Sequence, residues 1–400
     1  MAALHILMIS DVYFPRINGV STSTATFRED LQALGHRVTL IAPAYPQATG
    51  EEDPDIIRVP SRYLPMDPED RMMRWSALKR LENRLAGSGF ELVHVQTPFI
   101  AHYFGRRIAR RLAVPMVESY HTFFQEYLFH YLPWLPRACL RSAARRFSRG
   151  QCNEVDRVIV PSIAMRDVLQ GYGVATPIDI VPTGLTPAAF TPGDGSRFRT
   201  AMGIPLDRPL LVHVGRVAHE KNIGFLLEVV DRLRHRIDDV LLLIAGEGPA
   251  RASLARQVER LQLEANVRFT GYLDRHAGLK DCYCAGDVFV FASRTETQGL
   301  VLIESMAQGT PVVSTAVMGT RDIVGPQRGA IEVREQADEF AGTLERLLSD
   351  PDRRARMADE ARAFAREWSA RAMAETMLGT YQAAGGQGRQ PGTAEVVEQV

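Results

Sequence analysis

Two carboxylates and two cations carry the chemistry legible in this chain. Glu296 and Glu304 stand eight positions apart in SRTETQGLVLIESMAQGTPVVST, residues 293–315, around a Gly-Leu-Val turn that opens a helix. A carboxylate accepts two hydrogen bonds at once, so Glu304, one turn beyond Leu300, matches the cis-diol of a ribose. Glu296, on the loop before the helix, is placed to reach the hydroxyls of a second sugar. The helix start at Gly299 and Leu300 offers unpaired N–H groups to phosphate oxygens. Arg216 and Lys221 stand five apart in HVGRVAHEKNIGF. A planar fork and a point charge on one loop can flank a diphosphate, where their charge counts most if the group departs as an anion. Together these residues describe a site for a nucleoside diphosphate joined to a sugar. Taken singly, each has an ordinary reading: Glu304 as a helix residue, Arg216 and Lys221 as solvated loop charges.

Two further loops belong with these. In SDVYFPRINGVSTSTATF, Asn18-Gly19 lets the backbone come close to a ligand at a helix start, with Ser21 as the expected N-cap. In ESYHTFFQEYLFHYLPWLP, His121 follows an apolar strand and precedes a dense aromatic run. A lone histidine has a structural reading. The strand-end position beside aromatics points instead to a role at the reacting sugar.

The elements that position these loops are read from periodicity. LHILMIS, RVTLIAP, LVHVQ, PMVESYH and RVIVPS are apolar runs separated by helical patterns. The series restarts with PLLVHVGR, VLLLIAGEGP, VRFTGY, DVFVFAS and TPVVST. Continuous apolar strands alternating with helices indicate parallel sheets covered on both faces. The expectation is an α/β chain of two doubly wound domains, residues 1–185 and 186–368, with the Pro/Gly/Thr-rich VPTGLTPAAFTPGDG as linker and a cleft between them. Ligands of such sheets bind at the carboxyl ends of strands, where all the loops above fall. The Gly/Gln-rich stretch 383–400 is expected to lack structure.

Composition narrows the classes. The 400 residues carry 47 basic and 47 acidic side chains, which argues against nucleic acid as a partner. The balance hides a basic excess between Arg71 and Arg166, a local patch for an anionic partner. Arg106, Arg107, Arg110 and Arg111, then Arg137, Arg141 and Arg145 four apart on one helical face, define a flank within Arg106–Arg149 that would meet an anionic membrane peripherally. No run approaches the length of a membrane span, and MAALHILMIS reads as a buried strand and not as a targeting signal. Four cysteines, Cys139, Cys152, Cys282 and Cys284, have no metal-site spacing and fit a reducing compartment. The G-x-G-x-x-G dinucleotide fingerprint is missing, which disfavours nicotinamide chemistry.

With these residues in view, the chain resembles retaining glycosyltransferases of family 4 over about residues 5–380. The resemblance rests on the Gly19 turn, the Arg216/Lys221 pair and the Glu296/Glu304 spacing, in that order along the chain. It implies a GT-B fold of two facing Rossmann-like domains, the first binding acceptor and the second the nucleotide sugar. A C-terminal helix, about residues 369–382, would pack back on the first domain. Arg216 and Lys221 would bind the donor diphosphate, Glu296 the donor-sugar hydroxyls and Glu304 the ribose. Gly299, Leu300 and Val301 would give backbone contacts, and His121 would stand near C6 of the donor sugar. The reaction implied is transfer of a glucosyl or mannosyl group from a uridine- or guanosine-linked donor to a lipid or glycan, forming an α-glycosidic bond. Neither metal nor cofactor is expected, and the Asp-x-Asp at Asp53 and Asp55 is read as chance. YHTFFQEYLFHY is especially similar to bacterial diacylglycerol-type lipid glycosyltransferases, which implies a lipid acceptor; the expected location is the cytoplasm, at the inner face of the cytoplasmic membrane. An epimerase or phosphorylase of the same fold, or a non-catalytic nucleotide-sugar binder, uses the same groups and stays open at this stage.

Overall fold

The computed structural model describes residues 3–16, 18–46, 53–64, 67–121, 137–274 and 278–386. The strands of the first half are β1 (His5–Ile9), β2 (Arg37–Pro43), β3 (Ile56–Val59), β4 (Ser61–Leu64), β5 (Asp67–Met73), β6 (Leu92–Val95), β7 (Met116–Ser119), β8 (Arg157–Val160) and β9 (Ile178–Ile180). Seven of them form a sheet in the order β3-β2-β1-β6-β7-β8-β9, with every pairing parallel. β4 and β5 make a separate antiparallel pair. The second half supplies β10 (Leu210–Val214), β11 (Leu241–Ala245), β12 (Val267–Gly271), β13 (Val288–Phe291), β14 (Val312–Ser314) and β15 (Ala330–Glu332). They form a second parallel sheet in the order β12-β11-β10-β13-β14-β15.

Both faces of each sheet are buried, which is why the strands read as unbroken apolar runs. In β1, Leu7 and Ile9 enter one core cluster while Ile6 and Met8 enter the one on the opposite face. In the second sheet Leu211 and Val212 part in the same way. Each fully buried Leu or Ile contributes about 1.5–3 kcal/mol. Each sheet reverses its strand order at one place, between β1 and β6 and between β10 and β13. These are the switch points at which loops diverge and leave a crevice.

The segment between the two sheets is more constrained than a linker composition implies. Leu185 bridges to Ser369. A Cβ on Gly184 would stand 2.5 Å from the Cα of Ala370. The outgoing and returning chains therefore cross in contact, and Gly193 and Gly195 lie just as tightly against residues 280–285. After the crossing, the helix Ala370–Gly386 packs on the helix Gly19–Ala33 of the first sheet. Ala374, Met377, Leu378 and Tyr381 join its core. The helix runs four residues into the stretch expected to lack structure, because Ala384 is buried there and alanine favours helix. Residues 387–400 lie outside the described residues.

Tyr381 closes a polar contact in this core: its hydroxyl lies 2.7 Å from His94 Nδ1, and His94 Nε2 lies 2.9 Å from the Ser119 hydroxyl. Burial holds the His94 imidazole down to about 3, with nearby His121 a lesser cause. Burial likewise holds His213 down to about 4, against the opposing Val290 carbonyl. His102 goes the other way. Burial opposes its charge, but the hydrogen bonds its ring nitrogens donate to Glu118 and Glu154, at 2.9 and 3.1 Å, outweigh that and raise it. Unfolded, all three titrate near 6.5. Below that pH the unfolded chain takes up protons that His94 and His213 refuse in the fold, so stability falls as pH drops from 6.5 toward 4. The His102 contribution is complete below 6.5 and is lost only as pH rises through its raised folded value. Urea denaturation at pH 7 and pH 5 is expected to give a lower midpoint at pH 5, and His94→Gln is expected to flatten that difference.

Candidate active site

The second sheet brings Lys221 and Glu296 together at its switch point. Arg216 and Lys221 follow β10, and Glu296 follows β13, the strand beside it. Two glycines after β11 let this happen. A Cβ on Gly246 would lie 1.9 Å from the Gly215 carbonyl, and one on Gly248 would lie 2.4 Å from that of Val217. With φ of +137° and +159°, both sit where glycine is favoured. The loops after β10 and β11 are thereby zipped together, with Val217 N–H donating to the Glu247 carbonyl at 3.0 Å.

The ammonium of Lys221 makes a direct ion pair with Glu296. Both side chains are mostly shielded, at 20% and 17% exposure, whereas Arg216 is 58% exposed and only loosely paired with Glu220 at 3.8 Å. The helix Leu300–Ala307 begins just beyond, at Gly299 with φ +93°. A Cβ there would lie 2.8 Å from the Thr320 methyl, so this position also calls for glycine. Leu300 and Val301 are half-buried against the second sheet's core, and their amides open the helix. Glu304, on the same helix, accepts a hydrogen bond from the Tyr283 hydroxyl at 2.8 Å.

The first sheet holds the other two predicted residues. Gly19 is the exposed first residue of the helix Gly19–Ala33, and nothing lies within 4 Å of where its Cβ would stand. The N-cap is Asn18 and not the expected Ser21: the Asn18 side chain accepts the Ser21 N–H at 2.8 Å. The reason is geometric, since an extended residue two or three positions earlier reaches that N–H and Ser21 already lies within the helix. His121 follows β7, and its Nε2 lies 3.1 Å from Gln96 Oε1. Burial holds it down to about 4, so it is a neutral imidazole at physiological pH. The aromatic residues 123–134 lie outside the described residues.

Three residues of this site carried no signal in the sequence. Gln96 is buried at the end of β6 and sets the His121 ring. Tyr283, inside the Cys-Tyr-Cys stretch, is buried and orients Glu304. Gln298, between Glu296 and Gly299, joins the two halves. Its side-chain amide accepts the Thr183 N–H at 2.9 Å and donates to the Thr183 carbonyl at 2.7 Å. Thr183 in turn donates to Ser23 on the Gly19 helix at 2.8 Å. Only a polar residue type marks such positions in sequence, and their partners lie far along the chain.

The other sequence features resolve into structure. Asp53 pairs with Arg28 at 2.5 Å and accepts the Asp55 N–H at 2.9 Å, which accounts for the Asp-x-Asp. Cys282 is buried and Cys284 contacts Gln308, so both belong to packing. The basic flank divides. Arg106 pairs with Glu154, and Arg107 and Arg111 pair with Glu82. Arg141, Arg145, Arg146 and Arg149 instead line a groove with Tyr172 on the helix Arg137–Cys152. Among the described residues, no helix is long and apolar enough to cross a membrane.

Comparison with known proteins gives the family and the fold. Residues 17–189 match the family model "Glycosyltransferase Family 4", and residues 196–364 match "Glycosyl transferases group 1". The chain is 31% identical to an alpha-monoglucosyldiacylglycerol synthase of Streptococcus pneumoniae, covering 87% of this chain and 79% of that relative. It is 27% identical to a GDP-mannose-dependent alpha-mannosyltransferase of Mycolicibacterium smegmatis, covering 95% of this chain and 97% of the relative. In fold it is similar to a sucrose-phosphate synthase of Thermosynechococcus elongatus, with a TM-score of 0.75 at 23% identity over 94% of this chain and 98% of that one.

Tyr283→Phe removes one hydrogen bond that orients Glu304 and keeps the ring in the core. The expected result is a loss of about 1 kcal/mol in nucleotide binding, about fivefold in Kd, with the thermal midpoint lowered by at most a few degrees. Calorimetry with UDP and GDP reads the first quantity and scanning fluorimetry the second.

Proposed function

The chain belongs to the family 4 glycosyltransferases, and from that premise we propose that it transfers a hexosyl group from a nucleoside diphosphate to a lipid or glycan acceptor with retention of configuration. The observation that carries the reading is the Lys221–Glu296 ion pair at the second sheet's switch point. A sugar diphosphate offers each member a replacement partner: its phosphate oxygens take the ammonium and its hydroxyls take the carboxylate.

The roles follow from charge and position. Arg216 and Lys221 neutralise the diphosphate as it leaves, with the amides at the start of the helix Leu300–Ala307 completing the cradle. Glu296 holds the donor-sugar hydroxyls and Glu304 the ribose diol. His121, neutral, faces the sugar as a hydrogen-bonding group and not as a charge. The bond from the anomeric carbon to the diphosphate oxygen breaks, and a bond to the acceptor oxygen forms on the same face. The acceptor proton passes to the departing phosphate, so no protein nucleophile is needed. Residues of the first sheet bind the acceptor. Relatives named for monoglucosyldiacylglycerol and for GDP-mannose support a lipid acceptor and leave glucose and mannose as the donor sugars to compare.

The test pairs UDP-glucose or GDP-mannose with diacylglycerol and extracted bacterial lipids, with products read by mass spectrometry. Release of UDP or GDP together with a new hexosyl lipid is expected, and Glu296→Gln is expected to lower kcat/KM about 100-fold. Nucleotide release without any new glycoside, or full activity in Glu296→Gln, would refute the reading.

We also place the protein at the inner face of the cytoplasmic membrane, docked through the groove of Arg141, Arg145, Arg146 and Arg149. Each cation near an anionic surface contributes about 1 kcal/mol. Flotation with phosphatidylglycerol vesicles should recover the protein, and neutral vesicles should not. The double change Arg141→Glu with Arg145→Glu should abolish recovery; equal recovery in all cases would count against docking.

A further inference from the structure

The chain between β14 and β15 touches both halves of the molecule. It holds a short turn, Met318–Thr320, and a short helix, Arg321–Val324. Two of its residues that are not glycine, Ala316 and Met318, have φ of +49° and +57°. Such a backbone persists only where its surroundings determine it.

On one side the turn packs against the loop that carries Glu296. Gly319 N–H donates to the Glu296 carbonyl at 2.9 Å. A Cβ on Gly319 would lie 2.1 Å from the Thr297 carbonyl oxygen. Thr320 lies against Gly299, and its hydroxyl donates to the Val317 carbonyl at 2.8 Å. Arg321 Nε donates to the Ala316 carbonyl at 3.1 Å and closes the turn on itself. The segment is therefore too tightly braced to shift without moving residues 296–299.

On the other side the same turn meets the first sheet's half. The Met318 side chain packs against the first sheet's core cluster. The Asp322 carboxylate accepts the N–H of Ile163 at 2.8 Å, the first residue of the helix Ile163–Gly171. Ser162 takes the Met165 N–H of that helix, so the two halves share its capping. Arg166 and Asp167, one turn on, act on Asp322 with opposite signs.

We propose that Met318 and Asp322 are positioning residues, through which contact between the two halves sets the turn that holds Glu296 and so couples lobe closure to the grip on the donor sugar. This rests on the reading of Glu296 given above. The coupling acts more on the sugar than on the nucleotide, because the Gly319 N–H holds the carbonyl of Glu296 itself, whereas Glu304 is fixed separately by Tyr283.

The test compares Met318→Ala and Asp322→Ala with the parent chain and with Asp322→Asn, which keeps a side-chain oxygen to accept the Ile163 N–H. The probes are UDP and GDP against UDP-glucose and GDP-mannose, by calorimetry, with steady-state turnover alongside. Each alanine variant should lose about tenfold in kcat/KM, with sugar-nucleotide affinity falling while UDP or GDP affinity stays within about twofold. Asp322→Asn should recover most of the loss. Unchanged turnover in both alanine variants, or an equal fall in nucleotide and sugar-nucleotide affinity, would overturn the coupling. Glu296→Gln separates the two claims. If it abolishes turnover while the Met318 and Asp322 variants are silent, only the coupling fails; if it is itself silent, both readings fail.

Discussion

An ammonium and a carboxylate that start 75 residues apart in sequence meet at the carboxyl edge of the second sheet, and the organisation of the site follows from that meeting. Lys221 and Glu296 can meet because β10 and β13 are neighbours in the sheet. Taking two charges largely out of water costs free energy that good geometry must offset. Here the geometry comes from crowded backbone: the loops after β10 and β11 in contact at Gly215 and Gly246, and the turn at Gly319 pressed on Thr297. A pair held this way is balanced and can still be exchanged, since a ligand with its own negative and hydroxyl-bearing parts satisfies both members at once.

The two sheets contribute unlike chemistry from like positions. The second presents charge, in Arg216, Lys221, Glu296 and Glu304. The first presents a neutral imidazole whose partner, Gln96, is also neutral. That division suits a reaction in which one end of the substrate leaves as an anion and the other approaches as an uncharged hydroxyl.

Much of the fold was legible because buried parallel strands leave unbroken apolar runs, and β1, β2, β10, β11 and β13 are of this kind. The short edge strands β3, β9 and β15 were not, being three or four residues long and half-buried in part. The charged site candidates stood out in the sequence by their combination and order along the chain, since each taken singly has an ordinary structural reading. Gln96, Tyr283 and Gln298 did not, since their work is to orient neighbours distant in sequence. The basic flank illustrates the converse: sequence counts arginines, but only packing tells that Arg106, Arg107 and Arg111 are already paired with Glu154 and Glu82.

The return of the last helix onto the first sheet has a consequence for how the protein is made. Tyr381 is the partner of His94, 287 residues earlier. During synthesis the first sheet therefore emerges with one seam open, its apolar strip awaiting Met377 and Leu378. The second sheet, whose strands lie between those two points, is complete before the ribosome finishes. The half translated first thus waits for a helix translated after the second sheet, and loss of the helix Ala370–Gly386 injures the first sheet's half.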